Sequence, residues 1–237
     1  MDDTDRLQTL VRKGYREPGK VPGYLLGRLF PGSRWGPGWV REDGYITFRE
    51  DSLTGGSPSR PEFSARVYHE ATQIERLLDG REYDRALEIG CGYGRLVGWV
   101  ASHADEAAAI EPNAEALAAA RRAYPEVDFE VALADDIPYP DDHFDLVVAW
   151  AVLGHIPPGT IERAAREIRR VLRDDGTLLL CERTSGDSAS GVWVRSRGDY
   201  EALFDPFAVV AAEERAAEPS FEYARYMETM RLDAPRS

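Results

Sequence analysis

Hydrophobic residues along the chain switch between two spacings, and the switching predicts the architecture. Phe63, Val67, Ala71, Ile74, Leu77 and Leu78 recur at helical spacing from about Glu62 to Leu78, and Asp79-Gly80 ends that helix. Short apolar runs then alternate with amphipathic stretches. They predict strand 86–89, helix 95–102, strand 107–111, helix 113–123, strands 127–131 and 144–150, helix 160–172 and strand 177–182. Strands that are apolar on both faces, alternating with helices, predict a parallel α/β sheet covered on both sides. The helix at 160–172 has the clearest pattern. Thr160 is its expected N-cap, Ile161, Ala164, Ala165, Ile168, Val171 and Leu172 form one stripe, and Asp174-Asp175-Gly176 is the expected stop. After a Ser/Gly-rich loop, a short helix at about 198–204 and strands 207–213 and 222–230 follow. With a tight link, those strands would make an antiparallel hairpin at the sheet edge.

The texture before residue 62 is different. From Gly14 to Pro61, glycines and prolines interleave with Tyr15, Tyr24, Phe30, Trp35, Trp39, Tyr45 and Phe48, without regular periodicity. This predicts an irregular arm over residues 1–61, with one short strand at Tyr45–Phe48, ahead of a domain over 62–237. Disordered linkers are poor in aromatics, so the arm is expected to pack on something, either as a cover for the sheet edge or as a lid.

Composition narrows the classes of partner. The 237 residues carry a net charge of −13, which argues against nucleic acid or an anionic membrane surface. Only Lys13 and Lys20 are lysines, and this acid-rich, lysine-poor composition resembles that of proteins from salt-loving archaea. A GC-rich genome that favours arginine codons explains the lysine shortage but not the acidity. Cys91 and Cys181 fall in apolar segments and read as free core thiols. No cysteine–histidine spacing suggests a metal. No apolar run reaches the length of a membrane span, and MDDTDRLQTL lacks a signal-peptide core, so a cytoplasmic protein is expected.

Candidate chemistry centres on ALEIGCGYG, residues 86–94. A buried strand feeding a turn with glycines at 90, 92 and 94, then a helix, forms a nucleotide-binding corner, although a tight structural turn has the same pattern. Glu111 follows Gly90 by 21 residues at the end of the next strand, where a carboxylate accepts both ribose hydroxyls. A helix-start carboxylate is the alternative. Glu88 lies within an apolar strand and needs a cation or donors, either an ammonium group of a ligand or an arginine such as Arg95.

Residues 86–94, Glu111, ALADDIPYPDDHFDLVVAWAVLGHIP (132–157) and REIRRVLRDDGTLLL (166–180) together resemble class I S-adenosylmethionine-dependent methyltransferases of the small-molecule type. The resemblance runs from about residue 62 to 230. It implies a Rossmann-like, doubly wound, mostly parallel seven-stranded sheet with a C-terminal antiparallel hairpin, and S-adenosyl-L-methionine as cofactor. Gly90, Gly92 and Gly94 would line the methionine part, Glu88 would orient its amino group and Glu111 would hold the ribose. Ala134 and Asp135 would meet the adenine. Leu133 stands where the family often has an aspartate, with Asp135 or Asp136 as the substitute.

Trp150 would flank the sulfonium and the acceptor, or simply pack in the core. His155 would be a base or a structural hydrogen-bonding group. A neutral acceptor needs a base, His155 or His69. A carboxylate acceptor needs a cation, for which Arg183, Arg195 and Arg197 follow the fifth strand and Arg34, Arg41 and Arg49 punctuate the arm. The expected reaction moves a methyl group to an oxygen or carboxylate of a small-molecule or sugar-acid acceptor, such as a hexuronic acid of a surface glycan. A quinone or lipid-like acceptor, a cofactor-binding module without catalysis, and a nicotinamide-dependent oxidoreductase are the competing readings. The alternate-residue glycine spacing disfavours the last.

Overall fold

The computed structural model describes residues 39–42, 45–48, 61–186, 192–214 and 226–234. The chain divides into two units, Met1–Leu53 and Thr54–Ser237. In the first, β1 (Trp39–Glu42) and β2 (Tyr45–Phe48) pair antiparallel, with Trp39 opposite Phe48 and Glu42 opposite Tyr45. The strand expected at Tyr45–Phe48 is thus present. Its partner β1 was missed because WVRE lies in a glycine-rich run without periodicity. The remaining arm residues, including Arg34 and Arg49, lie outside the described residues.

The second unit opens with α1 (Pro61–Leu78) and continues as β3 (Tyr83–Ile89), α2 (Val97–Ala101), β4 (Ala104–Ile110), α3 (Ala114–Ala123) and β5 (Asp128–Glu130). It then runs β6 (Phe144–Trp150), a 3-10 turn at Leu153–His155, α4 (Pro158–Val171) and β7 (Leu172–Arg183). It ends with α5 (Arg197–Phe204), β8 (Ala208–Glu214) and β9 (Met227–Asp233). The seven-stranded sheet has the order β5-β4-β3-β6-β7-β9-β8, with the first five strands parallel and β9 antiparallel to both β7 and β8. This is the expected Rossmann-like, mostly parallel sheet. Strand order reverses between β3 and β6, and open sheets of this kind take ligands at the carboxyl ends of the strands flanking that reversal.

The periodic positions account for the packing. Ile74, Leu77 and Leu78 of α1 are buried against Ala86, Leu146, Val148 and Trp150 of the sheet, Ala71 is buried too, and the side chain of Phe63 lies outside the described residues. On the other face, Val97, Leu117 and Ala120 meet Ala109 and Phe129. All of Ile161, Ala164, Ala165, Ile168 and Val171 on α4 are buried. Truncating one such core isoleucine to alanine typically costs about 2–5 kcal/mol.

Several boundaries differ from expectation. Helix α4 begins at Pro158 with Pro157 as N-cap, so Thr160 is not the cap. The fixed φ of proline suits the first helical position, where no amide is needed. The same helix ends at Val171 rather than at Asp174-Asp175-Gly176, and β7 starts at once. Phe144 pairs with Leu172 but Leu146 with Thr177, so those polar residues form an irregularity inside β7. Strands β8 and β9 do form the antiparallel edge, but residues 215–226 separate them, so the link is not tight. Helix α2 covers five residues, because the glycine turn delays its start to Val97.

Candidate functional site

Glu88 occupies the sixth position of β3, and its neighbours in register are Ala109 on β4 and Val148 on β6. Both are apolar, so the carboxylate is desolvated, and only 4% of the residue is exposed. Its Oε2 has no hydrogen-bond partner among the described residues. Burial, assisted by the nearby Glu111 charge, pushes its pKa up to about 8. Arg95 does not serve it. That guanidinium pairs instead with Glu70 of α1, which is itself fully buried and needs a cation more.

The glycine turn is tied to β4 from below, since the amides of Gly90 and Cys91 both donate to the Ile110 carbonyl (2.8 and 3.1 Å). Gly92 has φ +58° and open space where a Cβ would stand. Its amide donates to Glu111 Oε2 at 3.0 Å, and the Asn113 amide donates to Glu111 Oε1 at 2.9 Å. Glu111 therefore joins the turn to the start of α3, where Asn113 caps the helix through the amides of Glu115 and Ala116. Each carboxylate oxygen of Glu111 accepts one amide and keeps a further lone pair. Burial and the charges of Glu88 and Glu111 push the Cys91 thiol far up, so it stays a buried free thiol, as does Cys181.

Ala134 and Asp135 are buried in a tight turn after β5, closed by the bridge between Leu133 and Asp136. The Asp135 carboxylate lies 3.7 Å from Arg163 of α4, whereas Asp136 is exposed. Two residues absent from the sequence expectation hold the next stretch in place. Arg170 of α4 donates to the carbonyls of Ile137 (2.9 Å) and Tyr139 (2.8 Å) and to Asp141 (2.9 Å). Glu167 pairs with Arg170 and accepts from the Ile137 amide at 3.1 Å. The i,i+3 spacing of Glu167 and Arg170 on the polar face of α4 was the available signal.

Trp150 ends β6 and is 5% exposed, within the cluster of Ile74, Leu77, Leu146, Val148 and Leu179. His155 is half-buried in the 3-10 turn that follows, and His69 is half-buried on α1. The arginine candidates separate. Arg195 is buried and bonded to the carbonyls of Leu153 and Ile156, and Arg197 is paired with Glu228, so neither faces an acceptor carboxylate freely. Arg183, at the carboxyl end of β7, lies over the Tyr226 ring at 5.0 Å and is half-exposed.

The residues Glu88, Gly90, Gly92, Glu111, Trp150 and His155 therefore all lie at or just past the carboxyl ends of β3, β4 and β6, around the strand-order reversal. A cofactor carrying an ammonium, a ribose and a base fits this donor set. The unpartnered Glu88 oxygen suits the ammonium, Glu111 the hydroxyls, and the open space over Gly92 a close backbone approach.

Residues 87–180 match the family model described as "Methyltransferase domain". A probable S-adenosylmethionine-dependent methyltransferase of Mycobacterium tuberculosis (Rv3030) is 35% identical over 94 residues, 40% of this chain and 34% of that protein. This chain spans 34% to 60% of the length of the curated relatives it matches. Among solved structures, the N-methyltransferase NodS of Bradyrhizobium japonicum, in complex with S-adenosyl-L-homocysteine, aligns with a TM-score of 0.64. That alignment has 16% identity and covers 79% of this chain and 94% of NodS. The [4+2]-cyclase SpnF aligns with a TM-score of 0.60 and 20% identity, over 90% of this chain and 93% of SpnF. These likenesses establish the fold, which one neighbour uses for methyl transfer and another for a cyclisation.

Proposed function

We infer that the methyltransferase domain over residues 87–180 makes this protein a class I, S-adenosylmethionine-dependent methyltransferase. The Glu88 carboxylate carries this reading. A buried carboxylate with an unpartnered oxygen, two residues before a glycine turn, is costly unless a cation completes it. The ammonium group of the cofactor is such a cation. Glu88 would hold it, Glu111 the ribose, and the turn at Ala134 and Asp135 the adenine.

When bound, S-adenosylmethionine supplies an already activated methyl group on a sulfonium. The chain then has two tasks, to align an acceptor atom and to exclude water. Trp150, at the end of β6, would wall the reacting centre. His155, on the following turn, is the proposed base for a neutral acceptor. For a carboxylate acceptor no base is required, and Arg183, stacked on Tyr226, is the described arginine available to hold it.

The proposed acceptor is an oxygen nucleophile on a small molecule, with a sugar acid such as a glycan hexuronic acid favoured by the Arg183–Tyr226 pair. The acidic, lysine-poor composition supports a cytoplasm of high salt as the setting. Calorimetric titration of S-adenosylmethionine and S-adenosylhomocysteine in high-salt buffer tests the cofactor. Micromolar binding of both is expected, and no binding to folded protein would overturn the reading. Labelled methyl transfer to uronic acids, set against quinones, then tests the acceptor. Binding without transfer to any acceptor would point to a module without methyltransferase activity.

A further inference from the structure

The loop after β6 is held by two residues, one on β7 and one in the stretch before α5. Glu182 lies on β7 with 1% of its surface exposed. Its Oε1 accepts the amides of Val152 (2.9 Å) and Leu153 (2.8 Å), and its Oε2 accepts that of Gly154 (3.0 Å). Arg195 works from the other side. Its Nη1 donates to the Leu153 carbonyl and its Nη2 to the Ile156 carbonyl, both at 2.7 Å. The Trp193 amide adds a bond to the Gly154 carbonyl at 2.8 Å. Between Val152 and Ile156, three amides and three carbonyls are thus fixed by groups more than twenty-five residues away in sequence.

The loop conformation that results is not one the local backbone favours. Ala151 sits at φ +58°, a left-handed conformation that costs an alanine about 1–2 kcal/mol. That geometry points the next three amides toward one carboxylate, and it places Val152 against the glycine turn. The Cγ2 of Val152 is 2.5 Å from the position a Cβ on Gly90 would take. The loop that carries His155 is therefore also the wall on which the turn after β3 rests.

We propose that Glu182 and Arg195 are positioning residues, which clamp Val152–Ile156 in the conformation that braces the glycine turn and so set cofactor affinity without contacting the cofactor. The proposal rests on the methyltransferase reading of the site. Burying a carboxylate is expensive, and an apolar side chain at position 182 would avoid that cost. It would also strand three loop amides, two of them in buried bonds, and the loop would move to find partners. A glutamine keeps the shape, but its amide nitrogen cannot accept. At least one loop amide then faces a donor.

The test combines amide hydrogen exchange, read by mass spectrometry, with calorimetric titration of S-adenosylhomocysteine. In E182Q, exchange at residues 152–154 should accelerate at least about tenfold while β3 and β6 keep their protection. Affinity for S-adenosylhomocysteine should fall by about tenfold, within the range by which residues that touch no ligand alter coupling. R195M, which keeps the stem and removes both donors, should show the same pattern and serves if E182Q does not fold. V152A should weaken binding while amides 153 and 154 stay protected. Faster loop exchange with unchanged affinity would overturn the proposal, and so would exchange that rises equally across β3, β6 and β7. Failure of the wild-type protein to bind S-adenosylhomocysteine would instead count against the methyltransferase reading, and loop-specific exchange would still decide whether the clamp exists.

Discussion

Val152 fills the space beside Gly90 that any larger residue there would need, with its Cγ2 2.5 Å from the missing Cβ. One contact thereby joins the turn after β3 to the loop after β6, across the strand-order reversal. Two glycines in the same turn should consequently respond differently to the same change. Gly90→Ala places a methyl group into Val152 at φ +69°, and should cost about 2–5 kcal/mol of stability through backbone strain and overpacking. Gly92→Ala meets open space at φ +58° and should cost only about 1–2 kcal/mol. Because that methyl group projects where the cofactor would approach, Gly92→Ala should lose most cofactor affinity. Denaturant unfolding and calorimetry on the two variants separate the effects.

Glu88 should make cofactor affinity depend on pH. Its pKa stands near 8 without a partner, and a bound ammonium would lower it, so binding releases a proton below that value. Affinity should rise between about pH 6 and 7.5 by up to tenfold per unit. It should level off as the cofactor's own amino group, with an ordinary pKa of about 7.7–8.0, begins to lose its charge. Titrations in buffers of different ionisation enthalpy should report proton release. In E88Q the pH dependence should disappear along with most of the affinity.

The same raised pKa fixes the sign of a stability effect in the protein without cofactor. Folded Glu88 binds its proton more tightly than the unfolded chain does, and Glu182, pushed up by burial to about 7, acts in the same direction. Their contribution is fully present below about pH 4.5 and is lost as pH rises through about 7 and 8. E88Q should therefore show a flatter decline of Tm from pH 5 to pH 8.5 than the wild-type protein, and a higher Tm at the upper end.

The Arg170 side chain binds the stretch from Ile137 to Asp141 to α4, with three hydrogen bonds outside its own helix. Arg170→Ala leaves two carbonyls without their charged donor and should cost about 1–3 kcal/mol. Cofactor affinity should fall with little change in acceptor preference, because the loosened stretch follows the turn at Ala134 and Asp135. Calorimetry and an acceptor panel check both parts.

A net charge of −13 on 237 residues should make stability depend on salt. Raising KCl from about 0.1 M to about 1 M shortens the Debye length from about 10 Å to about 3 Å and screens the repulsion among carboxylates. Tm should rise by several degrees. A flat or falling Tm would remove the support for a high-salt setting.

The sequence by itself determined the alternation of strands and helices, because periodicity of two kinds is written directly in residue order. Strand 144–150 and the end of α1 at Leu78 were legible to the residue, and so was the glycine turn after β3. Glu88 stood out because a carboxylate in an apolar strand breaks the local pattern. Glu182 breaks its own strand, TLLLCE, in the same way, and that signal was there to be used. The partners of these groups were decided only by tertiary structure. Arg95, seven residues after Glu88, was the expected partner, yet it turns to Glu70 on α1. Arg195 resembled an acceptor ligand and proved to hold loop carbonyls. Thr160 gave way to Pro157 at the start of α4, and β9 came to lie between β7 and β8. A buried charge must find whichever opposite charge or dipole the folded chain brings within reach. That choice depends on distances between segments dozens of residues apart, which no local pattern encodes.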